Sequence, residues 1–177
     1  MQPGFEIFSR LLEQRIVFIG TPIDDMVSIL VVGQLQKLEA QDRSREVSLY
    51  INSPGGSVPS SLAIYDTMQL LRCPVATYAI GQATGTAALL LGAGRHGRRF
   101  ALTHARIAFM KIGGGARSEE QATEIARLTK VLDEAFALHT RQPLPEIVRA
   151  RETERHFGAE AARTFGLVDQ VIAEVPD

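Results

Sequence analysis

Ser53 and Ser57 flank the turn Pro54-Gly55-Gly56, and Thr84 and Thr86 flank Gly85, so four hydroxyl groups stand beside two glycine-bearing turns. A hydroxyl attacks a carbonyl only when a base takes its proton and a third group orients that base. Without an oriented base each of the four is a poor nucleophile, and no serine occurs between Ser61 and Ser118 to replace them. Gly85 offers backbone instead: it opens a small-residue helix, whose N–H end favours negative charge.

The other chemistry-bearing residues are scattered. His96, His139 and His156 fall in a loop, at a helix end and in a turn, at no spacing that suggests a metal site, and read as surface or capping groups. His139, near a helix C-terminus, would interact favourably with the dipole when charged. The single cysteine, Cys73, excludes an internal disulfide, suits a reducing compartment and reads as packing. Arg95, His96, Arg98 and Arg99 form a basic cluster expected to be a solvated loop. No phosphate-binding loop of the Walker type occurs, so neither ATP nor any other cofactor is expected on this chain.

The elements that must position these groups follow from periodicity. Residues 15–20 read as a strand, after which Thr21 caps a helix with Pro22 at its first position and Asp24 completing a capping box. Residues 47–51 and 75–80 read as strands, 57–71 and 84–91 as helices, and this β-α-β-α alternation argues a parallel sheet. Residues 99–102 and 106–109 read as short strands, with Arg106 at a turn position. Ser118 and Gln121 make a capping-box start for a long helix to about His139; helices over 144–152 and 159–165 follow, the last stopped by Gly166, and residues 167–175 close the sheet. With 177 residues and 45% apolar content, the chain is long enough for one domain with a sizeable core. A net charge of -1 gives no case for nucleic acid or an anionic membrane. No apolar run approaches the ~20 residues of a membrane span. The N-terminus lacks the pattern of a secretion signal, so a cytoplasmic location is expected.

Tyr50-Ile51-Asn52-Ser53-Pro54-Gly55-Gly56, Ile64-Tyr65-Asp66-Thr67-Met68-Gln69, Gly81-Gln82-Ala83-Thr84-Gly85-Thr86-Ala87 and Phe165-Gly166-Leu167-Val168-Asp169 occur in the order found in ClpP, the proteolytic subunit of the Clp protease. The chain resembles that family over nearly its whole length, and within it the catalytically degenerate, ClpR-type subunits. The resemblance implies an α/β fold, the ClpP/crotonase-type spiral of ββα units with a helical handle. It divides the single domain, residues 1–177, into a head over about 15–110 and 143–175 and a shortened handle over about 111–142.

The same resemblance places the family's catalytic serine at Gly85 and its histidine at Met110. The aspartate falls in Arg149-Ala150-Arg151-Glu152-Thr153-Glu154-Arg155, which carries one extra residue; alignment from the left gives Ala150 and from the right Glu152. His104, six residues before Met110, is expected to lie far from Gly85. The family's oxyanion hole maps to the amides of Gly56 and Thr86, a remnant that could still hold a peptide carbonyl.

Assembly into heptameric rings with a catalytically active ClpP paralogue is implied; stacking of two identical rings is less supported, because the shortening falls between Gly113 and Ser118, where the handle strand begins. Tyr50, Leu70, Tyr78, Ile80 and Phe100 match positions that dock AAA+ unfoldases, although Ser48 replaces a usual aromatic. Only Met1 to Gly4 precede the segment Phe5-Glu6-Ile7-Phe8, so a short or missing axial loop is expected. The function implied is a non-catalytic ring subunit. Its competitors are a decoy for ClpP inhibitors, a peptidase with its nucleophile relocated to Thr84 or Thr86, and an acyl-CoA enzyme on the shared spiral fold, for which no paired glutamates stand near Gly55 or Gly85.

Overall fold

The computed structural model describes residues 3–113 and 116–173. In chain order these form α1 (Pro3–Glu13), β1 (Ile16–Ile19), α2 (Asp25–Gln41), β2 (Val47–Ser53), α3 (Val58–Leu70), β3 (Val75–Thr84), α4 (Thr86–Gly92), β4 (Arg99–Leu102), β5 (Arg106–Ala108), α5 (Glu119–Thr140), α6 (Leu144–Glu152), β6 (His156–Gly158), α7 (Ala159–Phe165) and β7 (Gln170–Ile172). β1, β2, β3, β4 and β7 lie side by side, all parallel, and β5 runs parallel to the far end of β3 with β6 antiparallel beside it. This is the mixed, open α/β sheet flanked by helices that the ClpP/crotonase-type architecture requires.

Burial follows the strand period. In β2, Val47, Leu49, Ile51 and Ser53 face the helices while Ser48 and Tyr50 face the other way. The central β3 is buried on both faces over its first half. The main core fills the space between the sheet and α2, α3, α4, α5, α6 and α7; a second, small cluster of Ala76, Tyr78 and Phe100, with Tyr50 and Ile172 at its margin, is separate from it. Every residue of α4 is buried, which suits a helix apolar on all sides.

Several expected boundaries move for identifiable reasons. The first strand pair holds, but α2 is capped by Asp24, whose side chain accepts the Val27 N–H at 2.8 Å, and Thr21 is not the cap. Ile23 is the cause: it is buried and pairs in parallel with Gly56, donating to Gly55 O and accepting from Ser57 N, so the chain stays extended past Pro22. β3 continues beyond the expected stop at residue 80 because Gly81, at φ 82°, lets the strand change partners. Before that glycine it pairs with β4, and after it with β5. Arg106 opens β5 and is not in a turn, and His156 opens β6. The periodicity reading had no helix at Pro3–Glu13 and no strand at His156–Gly158. The closing strand is confined to Gln170–Ile172; residues 174–175, included in the expectation, lie outside the described residues.

Among the described residues no strand lies between β5 and α5; residues 114–115 of the expected handle strand lie outside them. Ser118 does cap α5, accepting from Gln121 N, while the Gln121 side chain turns to Arg117 N instead of closing the box.

The basic cluster is not a solvated loop throughout. Arg98 forms a two-point pair with Glu46. Arg99 is buried, pairs with Asp169 at 2.6 and 2.9 Å, and donates to the carbonyls of Gly92, His139 and Gly166. Those three carbonyls lie at the C-terminal ends of α4, α5 and α7, where helix carbonyls lack intrahelical partners. Arg15 does the same service at the end of α2, donating to the carbonyls of Leu38, Asp42, Arg45 and Glu46.

Candidate functional site: the pocket beneath Gly85

The two glycine-bearing turns meet. A Cβ on Gly55 would stand 2.5 Å from Thr84 O, and one on Gly56 would stand 2.1 Å from Ile23 O, so both positions exclude any side chain. Gly85, between β3 and α4, has φ 56° and ψ -122°, a strand-to-helix turn that glycine adopts without steric cost but that would strain a residue with a side chain while presenting that side chain outward. A Cβ built on it would touch Met110 Cβ at 3.4 Å and Cγ at 3.5 Å. Met110 follows β5, whose pairing to the end of β3 brings it opposite Gly85.

Beneath this junction lies a cavity of about 480 Å³. Gly56, Gly85 and Thr86 lie along one side, and Met110, Ile125, Leu132 and Phe136 supply much of the apolar wall. Arg151 also reaches it, but its guanidinium is held by Asp133 of α5 in a two-point pair at 2.9 and 3.1 Å, and Asp133 is 5% exposed. The pair ties α5 to α6. Ala150 is buried away from the cavity and Glu152 is exposed at the end of α6; neither lines the cavity. His104 is outside it too, beside Arg106 and His156 in a separate shallow depression.

The hydroxyls at the junction are already engaged. Thr86, 5% exposed, accepts the Gly56 N–H at 3.2 Å and the Ser61 hydroxyl at 2.8 Å. Ser53 donates to Thr21 O and accepts the Gly55 N–H. Thr84 is buried in β3 and does not line the cavity. Ser57 caps α3 and stands 2.7 Å from Ser60 Oγ, which donates to Asp25 at 2.5 Å. Among the described residues, Ser57 is the cavity hydroxyl linked, through a second hydroxyl, to a carboxylate.

The histidine expected to be a surface or capping group at the end of α5 is neither. His139 is buried, with Nε2 2.9 Å from the Tyr65 hydroxyl. Burial, then the positive charges of Arg99 and His96, lower its pKa to about 4, so the imidazole is neutral and gains nothing from the helix dipole at pH 7. Cys73 is buried as expected, and burial pushes its thiol pKa up. For Asp169, burial works upward, but the hydrogen bonds and charge of Arg99, with the Gly97 N–H, outweigh it and hold the carboxyl below its usual range. Among the described residues, no three of His, Cys, Asp and Glu gather as around a metal ion, and no helix is long and apolar enough to cross a membrane.

Of the five docking candidates, three come together. Tyr50, Tyr78 and Phe100 occupy matched positions on β2, β3 and β4 and stack with centroids 4.6 and 4.8 Å apart, Arg98 lying over Phe100. Ile80 is half-buried further along β3. Leu70 ends α3, is 81% exposed and belongs to neither apolar cluster. Residue periodicity missed the Arg99–Asp169 centre and the Thr86–Ser61 contact. The first left a trace, charges embedded in the apolar runs Arg99-Phe100-Ala101-Leu102 and Leu167-Val168-Asp169; the second left none.

The Clp protease family model matches residues 2–175 of this chain. With the parallel sheet, the turn at Gly55-Gly56 and the strand-to-helix junction at Gly85 in the motif order of that family, the chain belongs to the Clp protease family.

Proposed function

We propose that this chain is a non-catalytic Clp protease subunit that joins rings with a catalytically active paralogue and sets their geometry, partner choice or activity. The observation that carries the reading is the junction at Gly85: the position aligned with the family's serine has no side chain, and the nearest side chain across from it is Met110, which cannot take a proton. Glu152 or Ala150, the alternatives for the aspartate, do not reach the cavity. What remains at the positions aligned with the family's triad is an apolar wall with neither nucleophile nor base.

Ring entry is supported by an exposed apolar stripe. Met26, Ile29 and Leu30 on α2 are each more than half exposed, at helical spacing, on the side away from the buried Val31, Leu35 and Leu38. Such a contiguous face marks a protein contact. Docking of an AAA+ unfoldase is proposed at the part-exposed Tyr50 and Ile80, with Leu70 contributed from a neighbouring subunit; Tyr78 at 3% and Phe100 at 0% exposure back Tyr50 from within the fold and are not themselves open to a partner. The location proposed is the cytoplasm. The test is affinity purification of the tagged chain from its own host, read by native mass spectrometry; a mixed ring with a Ser-His-Asp paralogue is expected. Complexes without any such paralogue would refute ring assembly of this kind and favour the decoy for ClpP inhibitors.

The Ser57, Ser60 and Asp25 chain favours a second reading, a peptidase with a relocated nucleophile. It requires turnover of a small fluorogenic peptide that Ser57→Ala abolishes. A purified chain that leaves the peptide intact removes it.

A further inference from the structure

We propose that Thr86 is a built-in occupant of the carbonyl-binding position, so that the pocket beneath Gly85 accepts apolar side chains but does not grip a peptide carbonyl. The inference deepens the non-catalytic reading and rests on it. An oxygen bound at this junction would sit where the Gly56 N–H points. That N–H already donates to Thr86 Oγ1 at 3.2 Å. The same oxygen accepts the Ser61 hydroxyl at 2.8 Å, so both of its lone pairs have donors.

Neither group can step aside freely. Thr86 is 5% exposed and Ser61 fully buried, and Ser61 sits in the first turn of α3 with its N–H bonded to Ser57 O. The contact is close on the other side too: a Cβ on Gly55 would stand 3.2 Å from Thr86 Oγ1 and 3.1 Å from Thr86 N. A threonine in the first turn of a helix has few χ1 alternatives, and leaving this one would strand the buried Ser61 hydroxyl. A ligand carbonyl therefore competes with a neutral, preorganised oxygen held inside the fold. The rest of the cavity, with Ile125, Leu132 and Phe136, is indifferent to that oxygen and remains open to an apolar group.

The experiment is hydrogen–deuterium exchange by mass spectrometry on the full chain, followed at Gly56, with the probe N-acetyl-leucine amide. Thr86→Val, which keeps the shape and removes the acceptor, is expected to speed Gly56 exchange about tenfold, the scale of one hydrogen bond. Thr86→Ser is expected to restore slow exchange, which a loss of folding would not allow. In Thr86→Ala the probe is expected to slow Gly56 exchange, while in the unaltered chain it leaves Gly56 unchanged. Equal Gly56 exchange in the unaltered chain and Thr86→Val, slowing by the probe in the unaltered chain, or no slowing in Thr86→Ala would each overturn the proposal. Peptide turnover, measured separately, would refute the non-catalytic reading and leave the exchange result standing.

Discussion

The molecule buries polar groups in two places for opposite ends. At Arg99 a charged side chain gathers Asp169 and the carbonyls at the ends of α4, α5 and α7, so one residue locks three helices to the sheet. At Thr86 a small neutral hydroxyl closes a pair of donors and leaves an apolar cavity beside it. The first network is stability with no opening; the second is a pocket whose polar grip faces inward. The difference teaches that this fold satisfies its turn amides and its helix-end carbonyls by the same device, a side chain from a distant part of the chain, Thr86 for Gly56 N–H and Arg99 for the three carbonyls.

The comparison is broken most severely at the first centre. Arg99→Leu leaves three helix-end carbonyls without a donor and Asp169 without its cation, and a loss of about 3–5 kcal/mol is expected, read as a lowered urea midpoint or failure to accumulate. Asp133→Ala comes next: it strands the Arg151 guanidinium against the apolar cavity, for about 2–3 kcal/mol, with unfolding beginning at α5 in hydrogen exchange. An unchanged midpoint in either variant would mean that these centres are dispensable.

The pH dependence sharpens the comparison from the His139 side. The folded pKa of His139, about 4, lies below its ordinary 6.5, so the folded state binds fewer protons between those values. Stability from this group is present above pH 6.5 and is lost as pH falls toward 4, by an amount on the order of 2–3 kcal/mol. His139→Gln should flatten that slope in urea titrations while leaving the slope below pH 4, which belongs to carboxyls such as Asp169. Smaller still is Thr86→Val, expected to cost about 1 kcal/mol in the same titrations. Smallest is Leu70→Ala, at less than about 0.5 kcal/mol in the isolated chain because the side chain is exposed. A clear loss of unfoldase-stimulated activity in reconstituted rings is expected from that same variant.

The pattern of apolar residues determined the strands at residues 99–102, the helices at Leu144–Glu152 and Ala159–Phe165, and the parallel α/β class, because those choices depend on period and on local caps. Residue types likewise determined that Gly85 and Met110 bring no nucleophile and no base of their own. The tertiary structure decided the rest. Ile23 moved the start of α2 by pairing with Gly56, and Gly81 let β3 change partners instead of ending. Burial made His139 neutral and Arg99 structural, and a contact across some thirty residues of chain put the Thr86 hydroxyl on Gly56. These outcomes depend on which groups meet after the chain has folded, and burial, hydrogen bonding and charge act through those meetings and leave no local period in the sequence.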